Sequence, residues 1–172
     1  GKLGIGSAHK VGFKWGYQKK YDLIITMDGD GTHHPKYLDS ISSNLDKYDI
    51  VITNRFLDKD SLKTWPLIRV FITHVRHLLL RFLLDLEYDA SGAFRSFNPK
   101  KVKLKDLLLA NENDYSYFWK SIFFLKKKKY KIGEIPITLA NRLDGNSKMT
   151  LWHILSALLS LFKFSLSNFI KK

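Results

Sequence analysis

The stretch YDLIITMDGDGTHHP, residues 21–35, sets the fold class. Its first half is a short apolar run that reads as a buried strand over Tyr21–Met27. Its second half is acidic and glycine-containing and closes on Pro35, a residue suited to a first helical turn. A strand passing through a ligand-type loop into a helix is the repeating unit of an α/β layer architecture. Asp28 and Asp30 stand two apart, so in an extended segment their carboxylates point to the same side. Such a pair can share a hard divalent ion, Mg²⁺ or Mn²⁺, which takes oxygen ligands and is commonly completed by substrate phosphates. Strand carboxyl ends are also where open α/β sheets bind ligands. A solvated turn is the plain alternative, since Asp and Gly are turn residues in any case.

Outward from this stretch, short apolar runs alternate with helical patterns. A helix is predicted over Ser7–Lys19, and another from Pro35, with Leu38, Ile41 and Leu45 on one face. Asp49–Thr53, Phe94–Phe97 and Lys131–Leu139 read as strands, and Tyr115–Lys129 as a helix. Trp65–Leu84 is helical and very apolar, but Arg69, His74, Arg76, His77 and Arg81 interrupt it too often for a membrane span. It reads as a buried or surface-docked helix. Asn141–Lys148 (NRLDGNSK) is a polar loop of the kind that displays binding groups. In the final stretch His153, Ser156, Ser160, Lys163 and Ser167 form a narrow polar stripe on a broad apolar helix. That helix either covers a core or lies in a membrane interface, and Trp152, Lys171 and Lys172 favour the interface. The organisation expected is a body over 1–148 followed by an amphipathic, membrane-interface helix over 149–172.

Bulk properties bound the partners. With 172 residues, 45% of them hydrophobic, the chain can bury a core, which excludes a disordered polymer. A formal charge of +13 favours anionic partners: nucleic acid, lipid headgroups or phosphorylated substrates. The absence of cysteine removes disulfides and thiolate metal sites. No signal peptide is visible at Gly1, and a start mid-protein is expected. A nucleic-acid-binding module is one reading of the charge and of the run Lys126–Lys129. No helix-turn-helix, zinc or RNP pattern accompanies it, and lysines closing a helix suit the dipole or lipid headgroups.

Cations are placed at element ends. Asn54-Arg55 closes one strand, Ser91-Gly92-Ala93-Phe94-Arg95 leads into another, and Arg142 with Ser147-Lys148 brackets the late loop. Arginine forms bidentate contacts with phosphate oxygens, so each is a candidate phosphate ligand. A rival reading uses the same acidic loop: D-x-D-G-T after an apolar strand also resembles the first motif of haloacid-dehalogenase-type phosphatases, with Asp28 as nucleophile and Asp30 as acid/base. That mechanism needs a later acidic pair, and no strand-following DD or GDxxxD occurs.

The segments GKLGIGSAHKVGF, YDLIITMDGDGTHHP, DIVITNRF, DASGAFRSF, YSYFW, KIGEIPITLANR and GNSKMT occur in an order and at spacings that run from Gly1 to Thr150. In this set the chain resembles the family 2 glycosyltransferases of GT-A, Rossmann-like fold, and within them the dolichyl- or polyprenyl-phosphate mannosyltransferase-like branch. The resemblance implies an inverting, metal-dependent transferase in which Asp28 and Asp30 hold Mg²⁺ or Mn²⁺ and the donor diphosphate. It places Arg55, Arg95, Arg142 and Lys148, with Ser147, around the donor and acceptor phosphates, and lines the same cleft with Ser91 and Gly92. Asp30, Arg55 and Arg142 would be the catalytic residues. The implied donor is a nucleotide sugar, GDP-mannose ahead of UDP-glucose, and the implied acceptor is a polyprenyl or dolichyl phosphate. The implied place is the cytoplasmic face of a membrane, peripheral or anchored, with no nucleic-acid partner. The family's opening V-I-P-x-Y-N-E segment is absent, so an amino-terminally truncated domain is expected and no base-recognition residue is assigned. Lys120 stands where relatives that transfer to hydroxyls carry a carboxylate, and Lys36 where an acidic residue commonly follows the proline.

Overall fold

The computed structural model describes residues 3–140 and 151–169, with side chains of the last segment described over 157–168. The chain runs α1 (Ile5–Gln18), β1 (Ile24–Thr26), a 3₁₀ turn (Pro35–Tyr37), α2 (Leu38–Ser43), β2 (Ile50–Asn54), α3 (Leu67–Leu84), β3 (Arg95–Phe97), α4 (Leu104–Leu107), α5 (Ser116–Lys127), β4 (Ile132–Pro136) and α6 (Leu151–Phe169). This is the α/β class read from the sequence, and it is consistent with the GT-A expectation. The strands form one mixed sheet in the order β1-β3-β2-β4. β3 is antiparallel to both neighbours, pairing Ile24 and Ile50 with Phe97 and Thr26 and Ile52 with Arg95. β4 runs parallel to β2, with Ile50 opposite Ile132 and Asn54 opposite Pro136.

Side-chain alternation along β2 builds the layers. Ile50 and Ile52 enter one core with Phe13, Leu80, Phe97, Ile122 and Leu125, contributed by α1, α3, β3 and α5. Val51 enters the opposite core with Ile41, Phe94, Ile135 and Ile137, under α2. The sheet is therefore covered on both faces, which is why β2 is buried along its whole length. Phe13 meets Phe97 edge-on at 4.8 Å between ring centres and fixes α1 to the sheet.

Several elements differ from the sequence reading in extent. The apolar run Tyr21–Met27 pairs only over Ile24–Thr26, because β3 beside it is just as short. The helix expected from Pro35 opens as a 3₁₀ turn, in which His34 accepts a hydrogen bond from the Lys36 amide, continues as α2 and closes in a second 3₁₀ turn, Asn44–Asp46, that buries Leu45 with Ile41. β4 stops at Pro136, which has no amide hydrogen to donate. α4 was not anticipated: one turn is too short for a periodicity to show. The terminal helix covers part of the core and leaves an apolar side exposed. Leu161 is buried in the core with α5, and Phe164 packs against Trp119, Phe123 and Phe124, whereas Leu159, Phe162 and Leu166 are exposed.

Gly133 marks a close approach. A Cβ built there would stand 2.4 Å from Cδ2 of Tyr48, whose ring lies across the strand. Gly133→Ala should lower the unfolding free energy by about 1–3 kcal/mol, the usual cost of overpacking. In a Tyr48→Ala background the same substitution should cost little. Denaturant titration of the four proteins in this double-mutant cycle checks it, and equal penalties in both backgrounds would refute the steric cause.

Candidate active site at one edge of the sheet

Topology gathers the sequence motifs. β1, β2 and β4 share one direction and β3 opposes them. The carboxyl ends of the first three and the approach to β3 therefore meet at the same edge. The acidic loop follows β1 there, Asn54 and Arg55 close β2, and Ser91–Phe94 lead into β3. Two bonds tie the parts together: the Thr26 hydroxyl donates to the Ala93 carbonyl at 2.7 Å, and the Ala140 amide donates to the Thr32 carbonyl at 3.2 Å.

The acidic loop is held from inside. His33 is buried, tilted against the Phe94 ring at 5.2 Å, and its Nδ1 accepts the Asp28 amide hydrogen at 2.9 Å. Nδ1 is therefore the unprotonated nitrogen, and burial keeps the imidazole below its ordinary pKa. Oδ1 of Asp30 accepts from the Thr32 amide at 3.1 Å and the Thr32 hydroxyl at 2.6 Å, an Asx turn that Gly31 completes at φ 82°. The Asp28 side chain is 44% exposed. The loop thus presents carboxylate oxygens at the sheet edge from a backbone fixed by His33 and Thr32. Hard oxygen donors on an open loop fit a divalent ion whose remaining ligands come from a diphosphate. Among the described residues no group of three or more His, Asp or Glu side chains forms a complete metal cage.

Beside this loop Arg55, Ser91 and Gly92 join an ion cluster whose other members, Asp89, Arg76 and Glu134, the sequence reading did not single out. Asp89 is 2% exposed and accepts three bonds: the Arg55 amide at 3.1 Å, Arg55 Nε at 2.6 Å and the Ser91 hydroxyl at 2.9 Å. Arg76 reaches in from α3 and donates from Nη2 to Ser91 Oγ at 2.7 Å. Glu134 of β4 accepts from the Asp89 amide at 3.0 Å and from Asn54 Nδ2 at 2.9 Å. Burial alone would raise the Asp89 carboxyl, but the field of Arg55, its two hydrogen bonds and the nearby Arg76 bring it below the ordinary value. Burial, with Arg55 close by, lowers Arg76 to about 10, still charged at neutral pH. Glu134 is raised by burial. Gly92 belongs to the same cluster, since a Cβ there would lie 3.2 Å from Nη2 of Arg55.

The structure thus brings together Asp28, Asp30, Arg55, Ser91 and Gly92 at one edge. Arg95 is different. It is 3% exposed, and its guanidinium donates to the carbonyls of Gly92, Ala90 and Phe118 and to the Ser121 hydroxyl at 2.8–3.0 Å. Burial lowers it to about 10. The hydrogen bonds of Arg95 go to protein oxygens, which gives it a scaffold role between β3 and α5. Lys120 is likewise buried, in an ion pair with Glu112 and beneath the Trp119 and Phe164 rings, so it occupies the interior of α5 and does not line the acidic loop. Arg142, Ser147 and Lys148 lie outside the described residues. Asp89 was present within the quoted DASGAFRSF segment, and its spacing of two from Ser91 was the available signal. Arg76 and Glu134 gave none, because their roles depend on tertiary approach.

No family model matches the chain. It is 30% identical over 150 residues to the undecaprenyl-phosphate mannosyltransferase of Micrococcus luteus, a match covering 87% of this chain and 62% of the relative. It is 28% identical over 155 residues to the polyprenol monophosphomannose synthase of Mycolicibacterium smegmatis, covering 87% and 57%. The chain thus spans about three fifths of the length of these curated relatives. Both homologues support the resemblance to polyprenyl-phosphate mannosyltransferase-like family 2 glycosyltransferases.

Asp89 should be the most costly polar residue to remove at this edge. Asp89→Asn keeps an acceptor but leaves the half-buried Arg55 and the nearby Arg76 without the buried anion, at a cost of about 3–5 kcal/mol. Because the native carboxyl is held below its ordinary value of 3.8, its contribution is fully present above that pH and is lost as pH falls from there through the lower value of the folded state. The variant should therefore show a shallower acid loss of stability, read by urea titrations at stepped pH.

Proposed function

We propose that this chain, homologous to two polyprenyl-phosphate mannosyl enzymes, carries the diphosphate- and acceptor-phosphate-binding edge of an inverting glycosyltransferase that moves mannose to a polyprenyl phosphate. The observation that carries the reading is the convergence of the Asp28–Asp30 loop and the Arg55–Asp89–Ser91–Arg76 cluster on one sheet edge. Asp28 and Asp30 would hold Mg²⁺ or Mn²⁺. Bound there, the ion would neutralise charge on the departing nucleoside diphosphate.

The protein's own groups account for the rest. Asp89 orients Arg55 through Nε, so the guanidinium is fixed before any ligand arrives, and a preorganised cation stabilises phosphate charge without reorganising during the reaction. Gly92 lets that guanidinium lie flat against the strand. A phosphate monoester acceptor is already anionic near neutral pH, so it needs positioning and charge compensation more than a base. That suits a helix α5 whose candidate position, Lys120, is locked in an ion pair with Glu112. The names of the relatives favour mannose as the sugar; family resemblance makes GDP-mannose the donor ahead of UDP-glucose, and a lipid acceptor would put the reaction at a membrane surface, the cytoplasmic face by the same resemblance. Arg142, Ser147 and Lys148 complete the phosphate-binding set in this proposal.

Asp28→Ala and Asp30→Ala should each reduce transfer of labelled mannose from GDP-mannose by about a hundredfold or more while leaving the thermal transition within a few degrees of the parent. Transfer should require Mg²⁺ or Mn²⁺. Undecaprenyl or dolichyl phosphate should accept the sugar and the matching free alcohol should not. Undiminished activity in chelator would refute the metal assignment, efficient transfer to the alcohol would refute the acceptor class, and an aspartyl-phosphate trapped at Asp28 would turn the reading toward a phosphatase.

A further inference from the structure

Two consecutive residues of α3 reach the two partners of the Arg55–Asp89 ion pair. Arg76 donates from Nη2 to Ser91 Oγ at 2.7 Å, and Ser91 Oγ donates in turn to Asp89 Oδ1 at 2.9 Å. His77, the next residue, stacks on the ring of Phe56, which follows Arg55 in the chain. Their ring centres are 4.2 Å apart and the planes lie 28° from parallel. His74, three residues earlier and so on the same helix face, meets the Phe56 ring at 5.2 Å and 55°.

Arg55 needs this second hold. Its backbone amide and its Nε both donate to one oxygen, Oδ2 of Asp89, at 3.1 and 2.6 Å. Bonds to a single atom fix a distance but leave the guanidinium plane able to swing about that oxygen. The outer N–H groups are therefore aimed only if the chain on both sides of Arg55 is fixed. Upstream, β2 provides a rigid end, with Asn54 buried and its Nδ2 donating to Glu134 at 2.9 Å. Downstream, residues 55–66 form neither strand nor helix, and Leu57, Lys59, Asp60 and Lys63 are exposed. Phe56 pins the start of that segment: its amide donates to Asn54 Oδ1 at 2.7 Å and its ring lies on α3. Burial holds the His77 imidazole below its ordinary pKa, with His74, Arg81 and Arg76 acting the same way and Asp89 against them. The platform is thus uncharged at neutral pH and adds no further cation beside Arg76 and Arg81.

We propose that Phe56, stacked on His77 and flanked by His74, is a positioning residue that acts through Arg55 and sets the direction in which its guanidinium fork meets a phosphate monoester. α3 thereby grips the ion pair at both partners, through Ser91 to Asp89 and through Phe56 to Arg55. Because the hold is face contact between rings and not a hydrogen bond, it demands a planar ring at both positions. The identity of the ligand rests on the acceptor-phosphate reading; the positioning of Arg55 does not.

The test compares Phe56→Leu and His77→Leu, which remove a ring, with Phe56→Tyr and His77→Phe, which keep one. The first readout needs no ligand: the Nε–Hε resonance of Arg55, recognised by its loss in Arg55→Lys, reports through hydrogen exchange whether the guanidinium stays on Asp89. The second is the dissociation constant of farnesyl phosphate, a short phosphate monoester, together with KM and kcat for undecaprenyl phosphate. Each ring-removing variant should speed Hε exchange at least about tenfold. Each should also weaken farnesyl phosphate binding and raise the acceptor KM by about fivefold, with kcat changed less. The double variant Phe56→Leu, His77→Leu should be no worse than either alone, because the rings act as a unit. The ring-keeping variants should match the parent. Unchanged exchange in the ring-removing variants overturns the proposal, as do penalties that add in the double variant or ring-keeping variants that lose as much. If Phe56→Leu does not fold, His77→Leu, at a half-buried position, decides by the same criteria. Faster exchange with no farnesyl phosphate bound by any protein would keep the positioning of Arg55 and fail the acceptor-phosphate reading.

Discussion

The functional edge depends on one buried carboxylate. Asp89 has almost no contact with water and stands between two arginines from different elements, Arg55 after β2 and Arg76 in α3. A charge in that position is tolerated only where its lone pairs are met in good geometry, and here two arginine N–H groups and a serine hydroxyl meet them. The same residue's amide donates to Glu134, so β4 joins the arrangement. One side chain and its own backbone therefore tie together the end of β2, the approach to β3, the middle of α3 and the parallel edge strand. Shifting any of these by an ångström would break a hydrogen bond or the Arg55–Asp89 ion pair in low dielectric, which gives the edge a rigidity that its short strands would not have by themselves.

That rigidity matters because phosphate recognition rewards preorganisation. An exposed arginine must lose rotamer freedom before it can pair with a phosphate, whereas Arg55 has lost it already to Asp89 and lies against a glycine that leaves room for it. The acidic loop is prepared in the same way, with His33 holding the Asp28 amide from below and Thr32 holding Asp30. Anion-binding and cation-binding groups are thus set separately by the fold and brought side by side by the direction of β3, the one strand that opposes the others.

How much of this was legible in the sequence follows from the range of the interactions. The strands, the acidic loop and the long helices are written locally, in apolar runs, in glycine and proline positions and in three-to-four-residue recurrence, and all are found within a few residues of where they were read. The acidic pair and Arg55 were visible because they end elements. Arg95 looked the same by that criterion and proved to be a core residue, since nothing local distinguishes an arginine facing a cleft from one facing the four oxygens of Gly92, Ala90, Phe118 and Ser121. Lys120 was read as a missing base, yet its partner Glu112 lies eight residues away across a loop whose path no periodicity records. Arg76 was counted only as an interruption of an apolar helix. Its partner, Ser91, becomes its neighbour only when α3 is laid against the sheet.

Those interruptions carry a second meaning in three dimensions. In a helix, residues three or four apart share a face, so the arginines and histidines of α3 do not dilute its hydrophobicity evenly. Arg76 falls inward among Leu80 and Leu84, and the row from Leu67 to Phe82 is left without a single charge. A helix read as too polar to span a bilayer is thereby too apolar on its outer row to face water without cost. The two statements agree for a helix with one side packed in the protein and a charge-free apolar row on the other.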